Sequence, residues 1–181
     1  MIIAEGHRQM NETGYARFSA REVAKRIGYS IGTIYNVFGS YDRLILAING
    51  CTLDMWRRML EARLSAGSAD PLRAGIEAYF DFALQNRHAW TAVFDFRLPE
   101  GEETPEDYQV QVRSIMEVTV RLLTEILPAD QSERARALAP SLLAIVHGHC
   151  FFKLNRTFDI LGETSGLEAC LARVRAALAE V

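Results

Sequence analysis

The chain holds 181 residues, 49% of them hydrophobic, with 20 basic against 23 acidic side chains and a net charge of −3. A chain of this length buries roughly two-thirds of its unfolded surface, so it needs neither disulfides nor a structural metal to fold, and its apolar fraction excludes intrinsic disorder. No apolar run approaches the roughly 18 residues that a membrane-spanning helix requires, so no membrane partner is expected. One or two small soluble domains are expected. Cys51, Cys150 and Cys170 are far apart and never in a Cys-x-x-Cys pair, which fits reduced thiols in a cytoplasm. The N-terminus breaks into charge at once and does not read as a signal peptide. Residues 1 to 50 carry six basic and four acidic groups, and the rest carries 14 and 19: a mildly basic head on an acidic body, which suggests two different partners.

The apolar spacing is helical nearly everywhere, and no alternating run of Val, Ile, Thr and aromatic residues is bounded by turn signals. The expected fold is all-α, with about nine helices. Ile2, Gly6 and Met10 give a first helix its apolar rhythm, although glycine inside a helix costs about 1 kcal/mol against alanine. A helix from 18 or 19 to 27 places Val23 and Ile27 on one face and stops at Gly28, where a left-handed backbone is cheapest. Ser30 is a natural N-cap for a short helix over 31–38. After Gly39-Ser40 a long helix runs from about 41 to 64, with Leu44, Ile48, Met55, Met59, Trp56 and Leu60 in apolar rows.

Asp70 followed by Pro71 caps a helix to about 86 that buries Ile76, Phe80, Ala83 and Leu84. A short helix over 89–94 precedes an acidic, turn-rich loop over 95–107. Helicity resumes from 105 to about 127, where Pro128 ends it. Residues 132 to 156 read as a helix that Pro140 should kink or split. Ser165 and Glu168 form a capping box for a last helix over 167–179. There are no internal repeats.

Residues 20 to 38 carry the most specific pattern. Two short helices joined by a tight turn need a small residue where they cross, here Ala24, a turn glycine, Gly28, and apolar contacts, here Val23, Ile27, Ile34 and Val37. The second helix turns Gly32, Thr33, Tyr35 and Asn36 away from those positions, all short or hydrogen-bonding and none charged. Hydroxyls and amides at a helix start suit phosphates, and Asn36 could read a base edge in the major groove. An αα-hairpin with a polar outer face fits the same spacing equally well.

The run Ser30-Ile31-Gly32-Thr33-Ile34-Tyr35-Asn36-Val37-Phe38-Gly39-Ser40-Tyr41-Asp42-Arg43-Leu44, preceded by Arg21-Glu22-Val23-Ala24 and Gly28, closely resembles the signature of the TetR family of transcriptional regulators. Val146-His147-Gly148 is similar to a subset of that family's C-terminal domains. The resemblance implies a cytoplasmic homodimer of nine-helix subunits whose larger C-terminal part binds an inducer. It places Thr33, Tyr35 and Asn36 at positions that touch DNA, with Ser30 and Gly32 at the helix start, and Phe38 in the core. Tyr41 stands where the family carries a phosphate-contacting lysine, and Ile31 where a polar or basic residue is common.

His147, His149 and Cys150 invite a metal reading, but on a helix only His147 and Cys150 share a face, so no metal site is expected. No nucleophile elbow, phosphate loop, dinucleotide fingerprint or zinc-protease motif occurs, so neither catalytic residues nor cofactors are expected. Trp56, Met59, Tyr79, Phe80, Trp90, Phe94, Tyr108 and Met116, with His147 on the wall, form the candidate ligand set; individually they suit a core, collectively a mainly apolar inducer.

The expected protein is a ligand-responsive repressor with a DNA-binding domain over 1–46 and a ligand-binding, dimerising domain over 47–181. It would bind a palindromic operator as a homodimer through its last two long helices, burying Leu142, Ile145, Leu171, Val174 and Leu178. The alternatives are a helical ligand carrier or enzyme with a degenerate head, and a helical module that binds a protein through its acidic body.

Overall fold

The structure, a computed structural model, describes residues 1–179. Ten α-helices and no strand occur among them: α1 (Ile2–Thr13), α2 (Ala20–Arg26), α3 (Ile31–Phe38), α4 (Tyr41–Ser65), α5 (Pro71–Gln85), α6 (Arg87–Asp95), α7 (Glu106–Ile126), α8 (Ala135–Leu154), α9 (Thr157–Leu161) and α10 (Gly166–Ala179). The all-α expectation holds. The chain forms two compact units, Met1–Met55 with Asn86–Arg113, and Trp56–Gln85 with Ser114 onward, so α4 and α7 each contribute to both.

The first unit is built on Met10, Val23, Ile34, Leu44, Ile45 and Ile48, all withdrawn from solvent. Its helix ends follow local chemistry. Glu22 N–H donates to Ser19 Oγ at 3.3 Å and Thr33 N–H to Ser30 Oγ at 3.1 Å, each supplying an acceptor that a helix start lacks. Gly28, at φ 74, makes the left-handed turn between α2 and α3. Gly6 has a packing reason: a Cβ there would lie 2.6 Å from Ile48 Cδ1, so only glycine admits Ile48. An ionic clasp joins α1 to α2. Arg8 holds Glu5 at 2.7 Å and Glu12 at 2.8 Å, while Arg26 reaches Glu12 at 3.0 Å and Glu22 at 3.3 Å. Asn49 Nδ2 donates to Ala92 O at 3.2 Å and ties α4 to α6.

In the second unit Arg73 N–H donates to Asp70 Oδ1 at 3.0 Å, the expected cap before Pro71. Glu168 makes a two-pronged pair with Arg73, both contacts 2.7 Å, and Arg175 pairs with Asp70, so two ion pairs link the α5 start to α10. That partner for Glu168 lies outside the expected capping box.

Several expectations are corrected. Val37 is 61% exposed and Leu84 51%; the core positions belong to Ile34 and to Ile76, Phe80 and Ala83. Pro140 lies inside α8 without splitting it; the break falls earlier, at a 3-10 turn over Ser132–Arg134. Pro140 and Arg136 are both exposed, so the carbonyl deprived of its donor faces water. Helix α9 was not expected: the chain breaks at Arg156, φ 58, with no glycine or proline to signal it. Leu142, Leu171 and Val174 are buried within their own chain, so a partner cannot be what covers them. Ser132–Leu154 reaches a mean hydropathy of 1.3 and is long and apolar enough to cross a membrane by those measures alone, with 28% of its most apolar window buried.

Candidate nucleic-acid interface and ligand cavity

Helix α3 carries no charge and presents Gly32, Tyr35 and Asn36 to solvent, with the exposed Ser30 at its start. Thr33 is half-buried, and its hydroxyl lies 3.0 Å from Ser30 Oγ, so the two act as one unit at the helix start. These five candidates sit on one short helix and its cap. Tyr41 stands apart on α4, half-buried, its ring 6.2 Å from that of Phe18 and its phenol pushed up by burial. Position 41 therefore packs an aromatic ring where the resemblance leads one to expect a cation.

Cations that the sequence reading passed over lie on α2. Arg21 and Lys25, four residues apart on one helix face, are exposed and engage no carboxylate among the described residues. Arg8 and Arg26, by contrast, are held by the α1 and α2 glutamates, which raise both guanidinium pKa values. The separating signal is faint in sequence, because Glu22 stands within reach of both Lys25 and Arg26 and takes Arg26.

The aromatic candidates do not form one cluster. Trp90 and Phe94 pack against each other on α6 at 5.1 Å, inside the first unit. Tyr108, also in that unit, lines a cleft of about 400 Å³ together with Val37, Phe38, Arg43 and Gln111.

The second unit holds a separate cavity of about 60 Å³, walled by Trp56 and Leu60 of α4, Ile76 and Tyr79 of α5, Leu122 of α7 and Val146 of α8 among others. Trp56 and Tyr79 meet edge to face at 4.9 Å. Tyr79 Oη lies 2.9 Å from His147 Nδ1, and burial lowers the His147 pKa, which keeps the ring neutral as a partner for the phenol. Of the remaining candidates, Phe80 is buried in the unit's core and Met59 and Met116 are half-buried; none of the three is part of the cavity wall. Most of that wall is aliphatic, and the sequence offers no mark by which such residues differ from ordinary core.

A groove of about 550 Å³ opens on the outer side of α8 and α10, floored by Ala144, Gly148, Ala176 and Ala177 and edged by Ile145 and Phe152. Cys150 and Cys170 are buried, and their thiols are pushed up to about 12.

A glycine-turned pair of short helices with an uncharged, hydrogen-bonding outer face, joined to a helical body that encloses an apolar cavity, defines a helix-turn-helix DNA-binding regulator with a ligand-binding part. Residues 2–48 match the family described as bacterial regulatory proteins, tetR family, and residues 72–178 the Tetracyclin repressor-like, C-terminal domain. The chain belongs to the TetR family of transcriptional regulators. It is 26% identical over 151 residues to the HTH-type transcriptional activator FasR of Mycolicibacterium smegmatis, covering 80% of this chain and 66% of that protein, just under two thirds of its length. Its fold is similar to that of a Rhodococcus sp. RHA1 protein of unknown function, with TM-score 0.72, 20% identity and coverage of 99% and 92% of the two chains. It is also similar to that of NalD, the secondary repressor of the MexAB-OprM multidrug efflux pump in Pseudomonas aeruginosa, with TM-score 0.58, 20% identity and coverage of 98% and 93%.

Proposed function

We propose that this chain is a cytoplasmic repressor that binds a palindromic operator as a homodimer and is released by a small, mainly apolar inducer. The carrying observation is the outer face of α3, where Ser30, Gly32, Thr33, Tyr35 and Asn36 offer hydrogen-bonding groups and backbone without charge. Hydroxyls and amides at the start of α3 would hold phosphates, and Asn36 would read a base edge. Arg21 and Lys25 supply the cations that position 41 lacks.

The second copy would seat on the outer groove of α8 and α10, whose small-residue floor admits close helix approach. Only 28% of the most apolar window of Ser132–Leu154 is fully buried within one copy, which supports that reading. Two-fold symmetry then sets the recognition helices about 34 Å, or a multiple of it, apart on the operator. The cavity of about 60 Å³ lies well below the roughly 300 Å³ usual for a ligand site. An inducer must therefore part the helices that wall it, and two of its wall residues, Trp56 and Leu60, stand on α4, the helix that begins next to α3. Taking the dimer from about 99:1 to 1:99 in favour of release needs about 10⁴-fold differential affinity, or about 5.5 kcal/mol.

The rival reading is a ligand carrier or enzyme with a degenerate head, and Tyr41 in place of a cation is the observation that favours it. Selection of bound sequences from a random duplex pool at moderate salt separates the two. An enriched inverted repeat supports the repressor; a folded dimer that enriches nothing supports the carrier.

A further inference from the structure

We infer that the ligand of the second unit's cavity is an uncharged molecule with an apolar body and one hydrogen-bond acceptor, selected by the indole N–H of Trp56. The inference rests on the ligand-binding reading above and gives that ligand its chemistry.

Among the described residues of the cavity wall three carry side-chain polar atoms, and two of them are committed. Tyr79 Oη is engaged with His147 Nδ1 at 2.9 Å, and Thr119 Oγ1 donates to Ile115 O at 3.4 Å. Trp56 is 6% exposed, and its Nε1 has no acceptor among the described residues. A buried donor left without an acceptor is a standing cost to the folded state and calls for an explanation. An indole nitrogen can only donate, so its complement is an oxygen that accepts: a ketone, ester or ether. Among the described residues no Lys, Arg, His, Asp or Glu lines the cavity, so an ammonium or a carboxylate would enter with no opposite charge from them to meet it. The small volume favours a slim body, and the leucine-rich wall favours a hydrocarbon one.

The test compares four probes of one chain length, octane, 2-octanone, octanoate and octylammonium, on the full chain and on its Trp56→Phe variant, which keeps a ring and loses the donor. Headspace partition measures the first two and calorimetry the charged pair. The expected result is that Trp56→Phe weakens 2-octanone about fivefold, the usual net effect of one hydrogen bond, and leaves octane within twofold. The charged probes bind at least tenfold more weakly than 2-octanone. Unchanged octane affinity also reports that the variant is folded. A second measurement needs no variant: in the ¹⁵N-labelled full chain, with its two tryptophans, the Trp56 indole proton should move downfield with 2-octanone and not with octane, while that of Trp90, in the other unit, stays in place. Equal losses for octane and 2-octanone, no loss for either, an unmoved indole proton, or octanoate binding as tightly as 2-octanone would each overturn the inference while leaving an apolar inducer in place. Binding by none of the four overturns it too, and that result alone also counts against the ligand-binding reading.

Discussion

At position 30 one serine does two things: its Oγ accepts from Thr33 N–H and lies 3.0 Å from the Thr33 hydroxyl. Ser30→Ala should therefore cost about 1 kcal/mol of stability and weaken binding to all DNA alike. Asn36→Ala, on the exposed face, should leave the melting temperature unchanged and relax base preference at one position of each half-site. Melting curves beside affinities on single-base operator variants check both. Tyr41→Lys should steepen the salt dependence of binding by about 0.9 per phosphate engaged, and should cost some stability through the lost contact with Phe18. An unchanged slope would show that position 41 does not face the backbone. Burial lowers the pKa of both His7 and His147. The unfolded chain then binds more protons than the folded one below the ordinary histidine value of about 6.5, so the stability these rings support is fully present above that value and is lost as pH falls from it through the lowered folded value. Urea unfolding at pH 7 and pH 5 should show the decline, and His7→Leu should flatten part of it.

Among the elements, α3 was legible to the residue because Ser30 and the glycines on either side state its limits in local chemistry. Helix α9 was not, since the backbone there turns left-handed at an arginine, a residue type that carries no signal of such a turn. Five of the six proposed DNA-contact residues lie on α3 and its cap, so the same local chemistry that sets the limits of α3 brings them together. The ligand candidates scattered because aromatic residues at helical spacing serve a core as readily as a cavity, and the two compact units share α4 and α7. Helix α4 also holds Gly50, where a Cβ would lie 1.9 Å from Gln111 Oε1. Alanine in a helix interior normally gains about 1 kcal/mol over glycine. Here Gly50→Ala should fail to gain it, because the Gln111 side chain must leave, and in a Gln111→Ala background the gain should return. A denaturant double-mutant cycle reads the coupling, and additive effects would show that Gln111 does not rest on that helix in solution.

For the whole molecule the proposed homodimer rests on the outer groove of α8 and α10. A Cβ at Gly148 would meet nothing within 4 Å in its own chain. Gly148→Glu should therefore leave the subunit folded, place a carboxylate where a second copy would seat, and give a monomer by sedimentation with operator affinity lost. A dimer of wild-type strength would move the interface elsewhere.

The uncharged face of α3 also bears on how such a regulator finds its site in a genome. Nonspecific affinity comes almost wholly from cations that displace counterions, and a chromosome offers on the order of 10⁶ or more competing sites. A recognition helix that brings no cation of its own adds nothing to that nonspecific hold, and fewer copies would be stranded on irrelevant sequence. The regulator forgoes some of the sliding that speeds the search, and a small cellular supply of subunits then suffices to keep one operator filled.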